Sequence, residues 1–185
     1  MFKIVSTILA RLLFAYRGVV YGEGFTVLGL PYVRAYGKLI IGNSVTINSG
    51  LKANAVFGVG CNVLISKKDA ELIIGDNVGM SNVTIYSETS ITVGDNTLLG
   101  AGVKIWDTDF HSLDAKIRMT PGDRGVSAAI SIGKNCFIGA GSMILKGVSI
   151  GDNAVIGAGS VVAKDVPDNE VWAGNPCRFI KKICP

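Results

Sequence analysis

Between residues 132 and 167 the chain reads IGKNCFIGAGSMILKGVSIGDNAVIGAGSVVAKDVP, which divides into six pieces of six residues. Ile132, Ile138, Ile144, Ile150, Ile156 and Val162 open the pieces, and Asn135, Gly141, Gly147, Asn153, Gly159 and Asp165 hold the fourth position of each. Those fourth-position types are the ones that tolerate a positive φ. An amphipathic helix needs apolar residues three and four apart and a half-buried strand needs alternation, so neither produces a spacing of six. A chain that turns every sixth residue leaves strands too short for hairpins. It buries one aliphatic per turn by stacking on itself, which predicts a solenoid.

The same period recurs upstream. Ile41, Ile47, Ala53, Val59 and Ile65 are six apart, although Ser44 and Val56 stand where Asn or Gly is expected. An insertion, SKKDAEL, then shifts the frame, which resumes at Ile74 and Met80, slips near Glu88, and runs again through Val93, Leu99 and Ile105. Three hexads per coil and a rise of ~4.8 Å between stacked strands give six or seven coils and a prism ~30 Å tall. Charged residues are 17% of the chain, below the usual ~25%, and 24 glycines accompany them, as buried short strands and tight turns require.

Ahead of the repeats, MFKIVSTILARLLFAYR has helical apolar spacing at Ile4, Val5, Ile8, Leu12 and Leu13 and is too short to span a bilayer. Such a helix packs on the solenoid or a neighbouring subunit, or lies on a membrane surface, a peripheral role that its cations keep open. Residues 18–38, with Gly22, Gly24, Gly29, Pro31 and Gly37, read as irregular coil closing the open end of the stack. The expected division is therefore an N-terminal helix and cap at 1–38 and the solenoid at 39–183, with a loop inserted at 107–131.

A net charge of +4 without a Lys/Arg run argues against a nucleic-acid partner and for an anionic small ligand. Cys61, Cys136, Cys177 and Cys184 have no metal spacing. They read as small buried hydrophobes in a reducing compartment, the cytoplasm. No metal is expected.

The loop carries the chemistry. Six residues beyond Ile105 stands His111, the only histidine, in a slot that calls for an aliphatic. It lies at the root of WDTDFHSLDAKIRMTPGDRGVSAA, the longest non-repetitive segment, and long insertions in compact domains are often functional. On residue type alone a lone histidine is more often structural than catalytic.

DTDFHSLD resembles the histidine segment of the sugar O-acetyltransferases of the hexapeptide-repeat acyltransferase superfamily, including the O-antigen and capsule enzymes and, more distantly, the galactoside and maltose acetyltransferases. VAKDVPDNEVWAGNPCRFIKKI resembles the ending of that family, in which AGxPxR-x-I closes the chain. The resemblance implies an all-β left-handed parallel β-helix with a short N-terminal helix and a protruding loop. It implies a homotrimer with sites between subunits, acetyl-CoA as cosubstrate, and His111 as general base toward a sugar hydroxyl. Asp107, Asp109 and Glu88 are candidates to fix the imidazole tautomer, with Asp109 preferred; each is otherwise a solvated loop carboxylate. Asn82, Glu88 and Trp106 are candidate acceptor contacts, and Trp106 is equally a core residue at the loop hinge. Gly139 and Ala140 are candidate backbone stabilisers of an oxyanion. By motif position, Ala140 and Ala158 line the pantetheine path, Ala163 and Lys164 meet the phosphates, and Arg178 with Lys181 faces the 3'-phosphate. Many family members have Arg in place of Lys181, so bidentate contact is lost there.

The reading is a sugar O-acetyltransferase of surface polysaccharide assembly, working in the cytoplasm or at the inner membrane face. An amino-sugar N-acetyltransferase is the enzymatic alternative, and a non-catalytic polysaccharide-binding or scaffolding solenoid the other.

Overall fold

Every buried aliphatic at the head of a hexad stands in one of three columns, and the columns define the molecule. The computed structural model describes residues 2–50, 53 and 60–183. Helix α1 (Phe2–Tyr16) precedes a first coil of β1 (Val20–Tyr21), β2 (Thr26–Leu28) and β3 (Tyr32–Ala35). The second coil holds β4 (Lys38–Ile41), β5 (Thr46–Asn48) and β6 (Val63–Ser66), the third β7 (Glu71–Ile74), β8 (Gly79–Ser81) and β9 (Thr84–Ser87). The fourth holds β10 (Ser90–Val93), β11 (Leu98–Leu99) and β12 (Lys104–Trp106). After an excursion bearing the short helix α2 (Ala115–Arg118), the fifth coil holds β13 (Ile130–Ile132), β14 (Phe137–Ile138) and β15 (Met143–Ile144). The sixth holds β16 (Ser149–Ile150), β17 (Val155–Ile156) and β18 (Val161–Val162), and the chain ends in β19 (Glu170–Ala173) and β20 (Arg178–Lys182).

Each coil contributes one strand to each of three faces. The first face runs β1-β4-β7-β10-β13-β16, the second β2-β5-β8-β11-β14-β17-β19-β20, and the third β3-β6-β9-β12-β15-β18. All neighbours are parallel except the final pair β19 and β20. On the first face Ile41, Ile74, Val93, Ile132 and Ile150 lie in register. On the second the column is Val27, Ile47, Met80, Leu99, Ile138 and Ile156; on the third it is Val33, Leu64, Ile85, Ile105, Ile144 and Val162. All are buried, at about 1.5–3 kcal/mol per aliphatic side chain.

The corner between the first and second faces explains the recurrent Asn. Asn77, Asn96, Asn135, Asn153 and Asn169 all have φ between 57° and 58° or, for Asn135, 55°. Their side-chain amides form a ladder, each donating to the next at 3.0–3.1 Å. The residue type that tolerates the left-handed turn also bonds coil to coil.

Three expectations change. The prism starts at β1, not at residue 39: residues 18–38 form a complete coil, because Val20, Val27 and Val33 pair with Ile40, Ile47 and Leu64 of the next. The cap is α1 alone. Its Thr7 Oγ1 accepts the N–H of Val27 at 3.0 Å and its Ser6 Oγ that of Gly29 at 3.3 Å, so side chains of the helix satisfy the free edge of β2. Second, Ile65 points outward and Leu64 fills the third column. Ala53 lies in a turn, and β5 and β6 are consecutive strands of one coil, so Ala53 heads no strand of the prism. Val56 and Val59 fall outside the described residues, as does Cys184. Third, the excursion ends two residues early, since Ile130 already pairs with Ile91.

Candidate active site

Where the fourth coil should turn from the third face to the first, the chain leaves the prism. Asp107, fully buried, anchors the exit: its carboxylate accepts the N–H groups of Glu88 (2.7 Å), Thr89 (2.8 Å) and Ser90 (2.9 Å) and the Thr89 hydroxyl (2.8 Å). It is spent on the corner of the coil beneath. The two limbs of the excursion then pair, Asp109 N–H with Val126 O at 3.0 Å and Ala128 N–H with Asp107 O at 2.9 Å. Gly125 permits this approach, since a Cβ there would sit 2.5 Å from Phe110 N. Phe110, at φ 62°, turns the chain so that the next side chain faces the returning limb.

That side chain is His111. Its Nδ1 lies 2.6 Å from Asp123 Oδ2, while Asp123 Oδ1 accepts the Ser112 N–H at 2.7 Å. The Ser112 N–H and then the imidazole hold the Asp123 carboxyl below its usual range. A carboxylate against Nδ1 requires the proton there and leaves the lone pair on Nε2. The imidazole is 69% exposed at the edge of the prism, and Nε2 has no partner among the described residues. Nδ1 oriented, Nε2 open: this is the arrangement of a general base.

Beside the dyad lies a cleft of about 370 Å³ lined by Lys67, Tyr86, Glu88, Phe110, Asp123 and Arg124 among others. Tyr86 donates to Glu88 Oε2 at 3.1 Å, and burial followed by that carboxylate pushes its phenol up to about 12. The Tyr86 and Phe110 rings meet at 4.9 Å.

The preferred orienting residue is corrected. Asp109 lies 3.3 Å from Lys146 Nζ, because His111 donates its backbone N–H to Asp109 O and turns its ring to the opposite limb. Asp123 takes the role, twelve residues on, in PGDRG. No spacing signals it, since limb pairing decides which loop residue meets the ring. Glu88 lines the cleft as a candidate acceptor contact. Trp106 is half-buried on β12, 6.4 Å from the Phe110 ring, and Phe110 and Tyr86 supply the cleft's aromatic wall instead.

The other expected residues sit elsewhere. Asn82, at φ 50°, lies on the corner between the second and third faces, across the third face from His111. Its Oδ1 accepts the Gly50 N–H at 2.9 Å, and its buried Nδ2 has no partner among the described residues. It borders a second cleft of about 340 Å³ with Thr84, Gly102, Lys104, Gly141 and Met143. Ala140 and Ala158 share this corner one coil apart. Gly139 cannot donate to an oxyanion: its N–H is bonded to Ile156 O at 2.7 Å, in the ladder between coils. The Ala140 and Ala158 N–H groups meet no acceptor among the described residues. Ala163 and Lys164 are exposed on the corner that carries the excursion, and Arg178 and Lys181 are exposed on β20.

A model of the hexapeptide repeat of succinyl-transferase matches residues 129–164. The Escherichia coli K12 protein WbbJ, whose name assigns it to lipopolysaccharide biosynthesis O-acetyl transfer, is 34% identical over 158 residues, 82% of this chain and 75% of that one. This chain belongs to the hexapeptide-repeat acetyltransferases. Another member, galactoside O-acetyltransferase of Escherichia coli K12, is 45% identical over 102 residues, 55% of this chain and 49% of its own. The chain thus spans about half the length of several curated relatives it matches. A galactoside acetyltransferase solved in complex with coenzyme A superposes with a TM-score of 0.59 at 29% identity, covering 97% of this chain and 72% of that one. The hexapeptide-repeat fold, a left-handed parallel β-helix, is the fold of this chain.

Proposed function

We propose that this chain is an acetyl-CoA-dependent O-acetyltransferase acting on a sugar hydroxyl, in the cytoplasm, during surface polysaccharide assembly. The observation that carries the reading is the His111–Asp123 pair, closed at 2.6 Å with Nε2 turned outward. A sugar hydroxyl is a poor nucleophile near neutral pH. Nε2 takes its proton as the oxygen attacks the acetyl carbonyl; the carbon–sulfur bond breaks, and the imidazolium returns the proton to the departing thiolate. Asp123 stabilises the imidazolium between those transfers. The unbonded Ala140 N–H is the backbone donor available to the developing oxyanion. Acetyl-CoA supplies the activated acetyl group, and the residues fit it: the open amide at Ala158 for the pantetheine arm, and exposed Lys164, Arg178 and Lys181 for its phosphates.

The working unit is a homotrimer. His111 stands on one edge of the third face, and Asn82, Ala140 and Ala158 stand on the other, about 10 Å apart for a strand of three to four residues. A closed ring of three copies sets the first edge of one prism beside the second edge of the next and completes the site.

Calorimetry with acetyl-CoA, sedimentation velocity, and an acetyl-transfer screen over glycosides, nucleotide sugars and amino sugars test this together. Expected are binding weakened by Arg178→Ala, a trimeric mass, and transfer to a hydroxyl that His111→Ala abolishes while binding persists. Absence of heat at millimolar acetyl-CoA would favour a non-catalytic solenoid. Exclusive transfer to amines would replace O- by N-acetylation.

A further inference from the structure

Helix α1 packs one narrow side inward and leaves a wide apolar side out. Ser6, Ala10 and Phe14 are buried against the first coil, whereas Ile4, Val5, Ile8, Leu9, Leu12 and Tyr16 are exposed, Ile4 and Leu12 by 65% each. At ~100° per residue these six fall in one continuous stripe opposite the packed side. Because α1 covers the end of the prism, most of the stripe faces away from the body; Ile4 and Ile8, at its margin, border the first coil at Thr26. Soluble chains seldom leave a contiguous apolar strip of this kind uncovered.

Charge identifies the occupant. Lys3, Arg11 and Arg17 are exposed, and no Asp or Glu occurs before Glu23. The Arg11 guanidinium lies 5.4 Å from the centroid of the buried Phe25 ring, on the side of the helix next to the body, and that of Arg17 lies 5.4 Å from the Tyr16 ring at the C-terminal end of the stripe. A second copy of this helix would set cation against cation with no carboxylate on either side. A layer of anionic headgroups over acyl chains complements both the charge and the stripe. We propose that α1 docks the chain on an anionic lipid bilayer, lying in the interface plane with the stripe sunk to the acyl boundary and the cations among the phosphates. No described helix is long and apolar enough to cross a membrane, so attachment is peripheral and reversible. The fourth coil, which carries His111, then stands about 15 Å from the first, three coil spacings along the prism. The proposal does not depend on the catalytic reading.

The test is flotation of the full chain with vesicles of phosphatidylcholine and phosphatidylglycerol at 3:1, against phosphatidylcholine alone. Expected is flotation with the anionic vesicles only, lost in 0.5 M NaCl. Arg11→Gln lowers partitioning about fivefold, since each cation near such a surface is worth ~1 kcal/mol. The pair Ile8→Ser with Leu12→Ser lowers it more than tenfold, while sedimentation and thermal unfolding stay as in the parent, because neither side chain belongs to the core. Failure to float with anionic vesicles, or equal flotation with neutral ones, overturns the proposal. So does a double variant that sediments as a smaller assembly, which would give the stripe to a second copy.

Discussion

Replacing Asp123 by Asn isolates the dyad. Asn keeps an oxygen for the Ser112 N–H, now 2.7 Å from Asp123 Oδ1, so the loop limb stays tethered. Its NH2 group then faces His111 Nδ1. A donor at that position selects the tautomer protonated on Nε2, which has no lone pair to receive the hydroxyl proton. Loss of a charge-assisted hydrogen bond is worth about 1.5–3 kcal/mol, and each ~1.4 kcal/mol is tenfold in rate. The variant should therefore lose about 10- to 150-fold in kcat. Acetyl-CoA affinity by calorimetry should stay within about twofold, since the Asp123 carboxylate is occupied by His111 and Ser112 and belongs to none of the proposed coenzyme contacts. Asp109→Asn is the matched control. Asp109 and Lys146 are each 29% exposed and 3.3 Å apart, a partly solvated pair of small worth, so its kcat should stay within about threefold. The reasoning fails if Asp123→Asn retains near-parental kcat, or if Asp109→Asn proves the more damaging change.

Tyr86 should titrate by ultraviolet absorbance near pH 12, and Glu88→Gln should bring it down. A folded value raised above the ordinary ~10 contributes stability that is complete below pH 10 and lost as pH rises through about 12, so the same variant should flatten alkaline unfolding across that window. Gly139→Ala places a Cβ 2.4 Å from Ala158 N and 2.6 Å from Ile156 O; overpacking of about 1–3 kcal/mol should appear as a clear drop in Tm. Asn135→Ala forces a non-Gly residue to φ 55° and removes two ladder bonds. It should cost ~1–2 kcal/mol more than Asn135→Gly, which loses the bonds without the strain, and differential scanning calorimetry reads the difference.

The coils from Ile132 onward are legible because each hexad repeats one physical demand: an aliphatic facing in, then a residue that turns. The first coil is not, because Phe25 and Tyr32 break the pattern and register with β4, β5 and β6 is a property of pairs of strands. After Ile47 the period misleads, because Ala53 and Val59 fall on it by spacing alone, although β6 follows β5 in the same coil. Within the site, His111 stands out as a polar residue in an aliphatic slot, and Glu88 through its place one coil below. Asp123 does not. Which loop carboxylate meets the ring is set by the pairing of residues 109 and 126 and by the turn at Phe110, both tertiary facts. Ala140 and Gly139 looked equivalent as neighbours in GAG, yet the ladder between coils consumes one N–H and leaves the other.

A β-helix built of identical rungs has little chemistry of its own, because most of its backbone groups are bonded to the coils above and below and only a few corner amides, such as those of Ala140 and Ala158, stay open among the described residues. Reactive groups enter where that bonding is interrupted. Among the described residues two departures bear on the site: the excursion of residues 107–129, which presents His111 and Asp123, and the chain that leaves β5, whose Gly50 N–H bonds Asn82 Oδ1. They leave from opposite edges of the same face, two coils apart, so neither completes the other within one chain. Stacking places like edge over like edge, and extending the prism with further coils would only lengthen each column. A rotation about an axis parallel to the prism does what translation does not: it sets unlike edges side by side and, repeated three times, closes. The division of the groups between two edges is therefore what supports the proposed trimer, independent of any area of apolar surface.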